Sequence, residues 1–284
     1  MDLISKFRAS CEYRAPIAVR VPFLDAIVPD RTGSKLLEVL DVLVLGVLFY
    51  HGLYLVCRLL CLLPRMRSLV PKKTDQLDFS MRTVSFIQST LIVVLAIPLF
   101  DNKYLNQDRV FATTPYSEMY STLAASYFVW DTAMSLRHLQ HFGLGFLIHG
   151  VMASTVFLSG IRTQMIHYYS PIFLLFEVST PFLNLRWVAL KFPELVPQWL
   201  ALANNIVLIS TFFGARIFWG WYQIYRLAGD LYAARHDPRF VLSTAIIILS
   251  TNFVLDILNA FWFSKMLTVA VATIMGRKDK LKLM

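Results

Sequence analysis

Eight side chains in this sequence carry acid, base or amide chemistry within strongly apolar surroundings: Asp131, His149, Glu177, Asn184, Arg216, Asn252, Asp256 and Asn259. Imidazole can donate, accept and change charge near neutral pH, so His149 suits a general base or a nucleophile. Gly145 lies one helical turn before it and Ala153 one turn after, and small residues there let a neighbouring helix or a ligand come close. The competing reading is a structural histidine bonded to an adjacent helix. Asp131 has Tyr127 and Ser135 one turn to either side, a polar stripe that could orient an imidazole, hold a cation or cap a polar neighbour.

Two further groups repeat the spacing i, i+4, i+7: Glu177, Pro181 and Asn184, and then Asn252, Asp256 and Asn259. Each group occupies one helix face. Pro181 cannot donate to the carbonyl of Glu177, so the helical ladder should break there. Asn204, Asn205 and Arg216 fall between the two groups. Arg216 could be neutralised by Glu177 or by Asp256, and spacing does not choose between them. Arg186 could snorkel at the interface beside Trp187.

The elements that position these groups follow from composition. Of 284 residues, 57% are hydrophobic and only 16% are charged, too little polar surface for a soluble domain of this length. Seven apolar stretches approach the roughly 20 residues that cross a bilayer, near 36–63, 83–100, 117–136, 142–161, 165–190, 199–226 and 240–267. The third and fifth are the least hydrophobic. The fold class expected is all-α, a polytopic transmembrane bundle of about seven spans, because helices satisfy their own backbone hydrogen bonds in lipid. The division expected is an extramembrane tail over 1–35, a first transmembrane helix over 36–63, a six-helix transmembrane domain over 78–270 and a basic cytosolic tail over 271–284. Pro16, Pro22 and Pro29 and the lack of an apolar run argue against a cleavable signal peptide in the first 35 residues.

The formal net charge of +9 comes mainly from the N-terminal tail, the Arg65–Arg82 stretch and the C-terminus, a pattern suited to anionic headgroups. No nucleic-acid motif is present, so no nucleic-acid partner is expected. Three cysteines make neither a disulfide framework nor a thiolate metal site, and no metal is expected. Cys57 and Cys61 read as buried apolar residues, with palmitoylation as the alternative. Lysine and arginine counts in the loops barely decide orientation. The tail ends Lys280-Leu281-Lys282-Leu283-Met284, similar to a dilysine retrieval signal read by cytosolic coat proteins. That reading implies the endoplasmic reticulum membrane and a cytosolic C-terminus. The alternative is a basic patch at the lipid surface.

Four segments carry a family resemblance: Arg82-Thr-Val-Ser85, Tyr127-Phe-Val-Trp-Asp131, Glu177-Val-Ser-Thr-Pro-Phe-Leu-Asn-Leu-Arg-Trp187 and Asn252-Phe-Val-Leu-Asp256-Ile-Leu-Asn259. In order and type they resemble the TLC-domain family, the superfamily of the ceramide synthases, from about Met81 to Leu267. The chain looks closest to the non-ceramide-synthase branch and is similar to its fungal and animal members, a fungal one foremost. The resemblance implies a TLC-like bundle with a lipid-accessible central cavity, endoplasmic reticulum membranes, a cytosolic C-terminus, and sphingolipid or phospholipid substrates or ligands. In ceramide synthases a His-His pair in the fourth span carries acyl transfer from acyl-coenzyme A. Here the matching positions read His149-Gly150, and the long acidic motif after that pair is missing.

Three functions compete. The preferred one is a lipid-handling protein without catalysis, with membrane lipids as partners and no cofactor. Its lipid-binding residues would be His149, Asp131, Glu177, Asn184, Asn252, Asp256, Asn259 and Arg216. The second is an acyltransferase with His149 as base or nucleophile, Asp131 or Glu177 as its orienting carboxylate and acyl-coenzyme A as co-substrate. The third is a cargo receptor or assembly factor of the endoplasmic reticulum. Oligomeric state is left open, a homo-oligomer included.

Overall fold

The computed structural model describes residues 19–275, and among these all regular structure is helical. Seven long segments dominate: α1 (Leu40–Leu60), α2 (Lys73–Ala96), α3 (Pro115–Arg137), α4 (Leu144–Thr163), α5 (Tyr169–Lys191), α6 (Gln198–Ala233) and α7 (Leu242–Ile274). Six of them, all but α3, are both long and apolar enough to cross a membrane. At 23 residues α3 reaches about 35 Å, also long enough. Its low hydropathy has a physical cause. Ser117, Ser121, Thr122, Ser126 and Ser135 are all buried among other helices, so α3 meets protein more than lipid.

The expected spans match these helices with shifted edges. The second begins at Lys73 rather than near residue 83, because the polar turn Lys73–Arg82 continues the helix beyond the apolar stretch. α3 starts with a capping box. The Thr114 hydroxyl accepts from the Ser117 N–H at 3.1 Å, while the Ser117 hydroxyl accepts from the Thr114 N–H at 2.9 Å, and Pro115 fills the first turn. Gly143, at φ +84°, makes the reversal between the short helix Leu139–Phe142 and α4.

Contacts between helices define a closed ring in the order α2, α5, α6, α7, α4, α3 and back to α2. α1 lies outside it, against α3 and α2. A Cβ at Gly46 would come within 2.5 Å of Ser126, so only glycine permits this approach of α1 to α3. Tyr50 of α1 packs edge-on against Tyr127 at 5.3 Å and donates its hydroxyl hydrogen bond to Gln88 of α2. Cys57 and Cys61 are buried, as expected for small apolar residues. The segment before α1 is tied down as well. Arg31 pairs with Asp41 and, at 2.9 Å, with Asp25, and the Val21 N–H donates to Asp41 at 2.9 Å.

Candidate functional site

The site is built by two imperfect helices. α5 breaks at a 3-10 segment, Leu175–Ser179, between Tyr169–Leu174 and Thr180–Lys191. This is the interruption expected from Pro181, which occupies the first turn of the second half. α6 contains a π-helical stretch, Phe213–Trp219, with Arg216 at its middle. Such π-helical segments are frequent at functional sites.

Together the two irregularities create one cluster. The guanidinium of Arg216, 7% exposed, reaches into the α5 break. Its Nε donates to the Phe176 carbonyl at 3.0 Å and to Ser179 Oγ at 3.1 Å. Its Nη2 donates to Thr180 Oγ1 at 2.9 Å and to Glu177 Oε1 at 3.3 Å. Its Nη1 donates to Asn259 Oδ1 at 3.3 Å, and the ring of Phe212 lies 5.2 Å from the guanidinium carbon. The question left by spacing is thereby answered: Arg216 pairs with Glu177. Asp256, although 2% exposed, has no described partner at Oδ2, and its Oδ1 lies beside Gly220, where a Cβ would come within 3.3 Å.

A void of about 50 Å³ lies beside this cluster. At about 10–15 Å³ per water it holds about three to five water molecules, or one small polar group, and is too small to enclose an acyl chain. Arg216, Glu177, Asn252 and His149 face it, with Phe128, Phe157, Ile161 and Leu174 as apolar walls. His149 sits between the ring of Phe128 at 6.0 Å and that of Trp262 at 5.6 Å. No described hydrogen bond joins its imidazole to Asp131 or Glu177.

The remaining predicted residues divide. Asn252, Asp256 and Asn259 share one buried face of α7, as their spacing required. Asn252 Nδ2 is turned back to the Ile248 carbonyl at 2.8 Å. Asn184 is buried but points to Ser85 of α2 at 3.4 Å, away from the void. Asp131 does not line the void either. Its neighbour Thr132 faces α4, where its hydroxyl meets Ser154 at 3.2 Å. Arg186, half-buried, has a protein partner. It donates to Asn205 at 2.8 Å and so joins α5 to α6. Asn204 ties the same pair by donating to the Phe182 carbonyl at 2.9 Å.

Gly150 explains the missing second histidine. A Cβ there would stand 2.7 Å from Thr132 Oγ1 and 3.1 Å from the Thr132 Cα. The α3–α4 packing has no room for any side chain at this position.

Sequence reasoning missed the other end of the void, where His167, Ser121 and Ser170 line it. Ser121 Oγ donates to Ser170 Oγ at 2.9 Å and lies 3.3 Å from His167 Nδ1. His167, 1% exposed, also places Nδ1 3.4 Å from the Ser117 carbonyl, and its Nε2 has no described partner. It comes from the short connection between α4 and α5, where no helical period marks it.

A ring of membrane helices closed around a buried polar cluster, with a broken helix and a π-bulged helix meeting at an arginine, defines a multi-pass membrane protein with an intramembrane polar site. The chain belongs to the TLC-domain family: the family model matches residues 78–268. It is 39% identical over 204 residues to an uncharacterised TLC domain-containing protein of Saccharomyces cerevisiae, covering 67% of this chain and 62% of that relative's own length. It is 31% identical over 259 residues to an uncharacterised TLC domain-containing protein of Schizosaccharomyces pombe, covering 89% of this chain and 86% of the relative. It is 29% identical over 242 residues to Protein CLN8 of Rattus norvegicus, covering 78% of each. No solved structure matches the chain significantly.

Proposed function

We propose that this chain handles membrane lipids in the endoplasmic reticulum without catalysing a reaction on them, by holding the polar end of a lipid at the void between α4, α5 and α7. The observation that carries this reading is the state of the polar groups around the void. Every nitrogen of Arg216 is already engaged by the protein, which leaves one Nη1 N–H for a ligand rather than the paired donors of an oxyanion hole. His149 has no hydrogen-bonded carboxylate to set its tautomer. Groups of this kind anchor a hydroxyl or amine; they do not form a complete acid–base device. The void takes only the head of such a ligand, so the chain of the lipid lies among the helices or beyond them. Membership of the TLC-domain family, with CLN8 among the relatives, supports a lipid-related role at the level of the family. The Lys280 and Lys282 tail, outside the described residues, supports retrieval by cytosolic coat proteins and a cytosolic C-terminus.

Acyl transfer is the second reading, and one observation favours it. Two histidines face the same void, His149 from α4 and His167 from the α4–α5 connection. The experiment that decides uses purified protein with labelled acyl-coenzyme A and amine or hydroxyl lipids. Saturable lipid binding with no transfer is the expected result. Transfer by the wild type that disappears in His149→Ala would overturn the non-catalytic reading.

A further inference from the structure

A second cavity lies at the membrane end where α1 and α3 finish and α2 begins, with the short helix Leu139–Phe142 over it. Its volume is about 720 Å³, and it shares no lining residue with the void of the bundle core. Arg58, Lys73, Arg137 and His138 line it. Two acidic residues lie nearby, and each already has a partner: Asp78 bonds His141, itself a lining residue, at 2.8 Å, and Asp75 bonds Lys191, outside the cavity, at 2.6 Å. Among the described residues Arg58, Lys73 and Arg137 have no acidic partner.

Two of these groups also carry a shielded nitrogen without a partner. Arg58 Nη1 and His138 Nε2 are shielded from solvent and have no described hydrogen-bond partner. A shielded guanidinium nitrogen without an acceptor is uncommon in a folded protein, so Arg58 Nη1 beside this cavity favours an acceptor inside it. Burial, with Arg137, His141 and Arg58 close by, holds the His138 imidazole below its usual value. Leu136 and Leu139, both exposed, form an apolar edge to the same cavity.

We propose that this cavity binds a phosphate group, clasped by Arg58, Arg137 and Lys73 with His138 as a further donor. A phosphate offers several acceptor oxygens and full negative charge to a guanidinium fork, which makes arginine pairs its usual partners. The apolar edge, where the long helices end, fits the phosphate of an anionic membrane lipid whose chains run beside Leu136 and Leu139. A soluble phosphate would use the same donors.

The test is native mass spectrometry of the full chain in neutral detergent, titrated with phosphatidic acid or phosphatidylcholine. Wild type should retain phosphatidic acid in preference to phosphatidylcholine. Lys73→Gln with Arg137→Gln, two exposed positions whose change leaves the packing alone, should lower phosphatidic acid affinity by about tenfold or more, the loss of charge-assisted hydrogen bonds. Arg58→Gln should do the same where it folds. Arg65→Gln with Arg67→Gln, at the same membrane end but outside the cavity, should leave binding unchanged. Equal retention of the two lipids, an unchanged affinity in Lys73→Gln with Arg137→Gln, or an equal loss in the Arg65 and Arg67 control would overturn the proposal. Displacement of phosphatidic acid by millimolar inorganic phosphate would identify a site that also takes soluble phosphate. Resistance to it would identify a headgroup site.

Discussion

Arg216 on the π-helical turn of α6 reaches Glu177 in the 3-10 break of α5 at 3.3 Å, so two local departures from α-helical geometry meet in one buried ion pair. Removing one partner leaves the other charged and unpaired in a low-dielectric interior. Glu177→Leu and Arg216→Leu should each destabilise the bundle by about 3–5 kcal/mol, and the double variant by less than the sum of the two. Thermal unfolding of the purified variants in detergent reads this directly. Additive losses would mean that the pair is not coupled.

Asp256 should behave differently, because Arg216 does not depend on it. Asp256→Asn keeps the shape and leaves the ion pair intact, so it should change stability by no more than about 1 kcal/mol. Glu177→Gln, which removes the countercharge of Arg216, should cost more than Asp256→Asn. Equal melting temperatures for these two variants would contradict the assignment of the pair.

Gly150 is held by steric necessity. Gly150→Ala sets a methyl group 2.7 Å from Thr132 Oγ1 and 3.1 Å from its Cα, and should destabilise by about 1–3 kcal/mol through overpacking. Adding Thr132→Ala relieves the hydroxyl contact but not the backbone one, so rescue should be partial. Gly150→His, which restores the histidine pair of the ceramide synthases on paper, should give poorly folded protein and no gain of acyl transfer. Size-exclusion profiles and a transfer assay check both halves.

His149 separates the two functional readings. It packs between two aromatic rings without a described hydrogen bond to a carboxylate, so His149→Ala should leave a folded bundle. For a lipid-binding site the expected loss is one hydrogen bond, about 1 kcal/mol in affinity. For a catalytic base the loss would be about a hundredfold to ten-thousandfold in rate. Lipid-binding isotherms and acyl-transfer rates measured on the same preparation distinguish them.

The C-terminal lysines give a cellular prediction. Lys280→Ser with Lys282→Ser should release the protein from the endoplasmic reticulum to later compartments, read by microscopy of the tagged chain. Unchanged localisation would leave the tail as a basic patch at the lipid surface.

Fold class, number of long helices and the polar face of α7 follow from the sequence alone. Apolar run length decides what crosses a bilayer, and the shared face of Asn252, Asp256 and Asn259 needs nothing but helical geometry, whereas the break in α5 parts Glu177, at the void, from Asn184, which turns to Ser85. The break at Pro181 follows as well, since a missing N–H is a local property. The partners of these residues are not local. Whether Arg216 meets Glu177 or Asp256 depends on the π-helical turn that rotates α6, and a π bulge leaves no period to read. His167 and Ser121 lie 46 residues apart and meet only when the ring closes. The reason for glycine at position 150 is likewise tertiary, because the obstacle is Thr132 of another helix. Residue types specified which groups had to be buried; the closure of six helices decided which of them would touch.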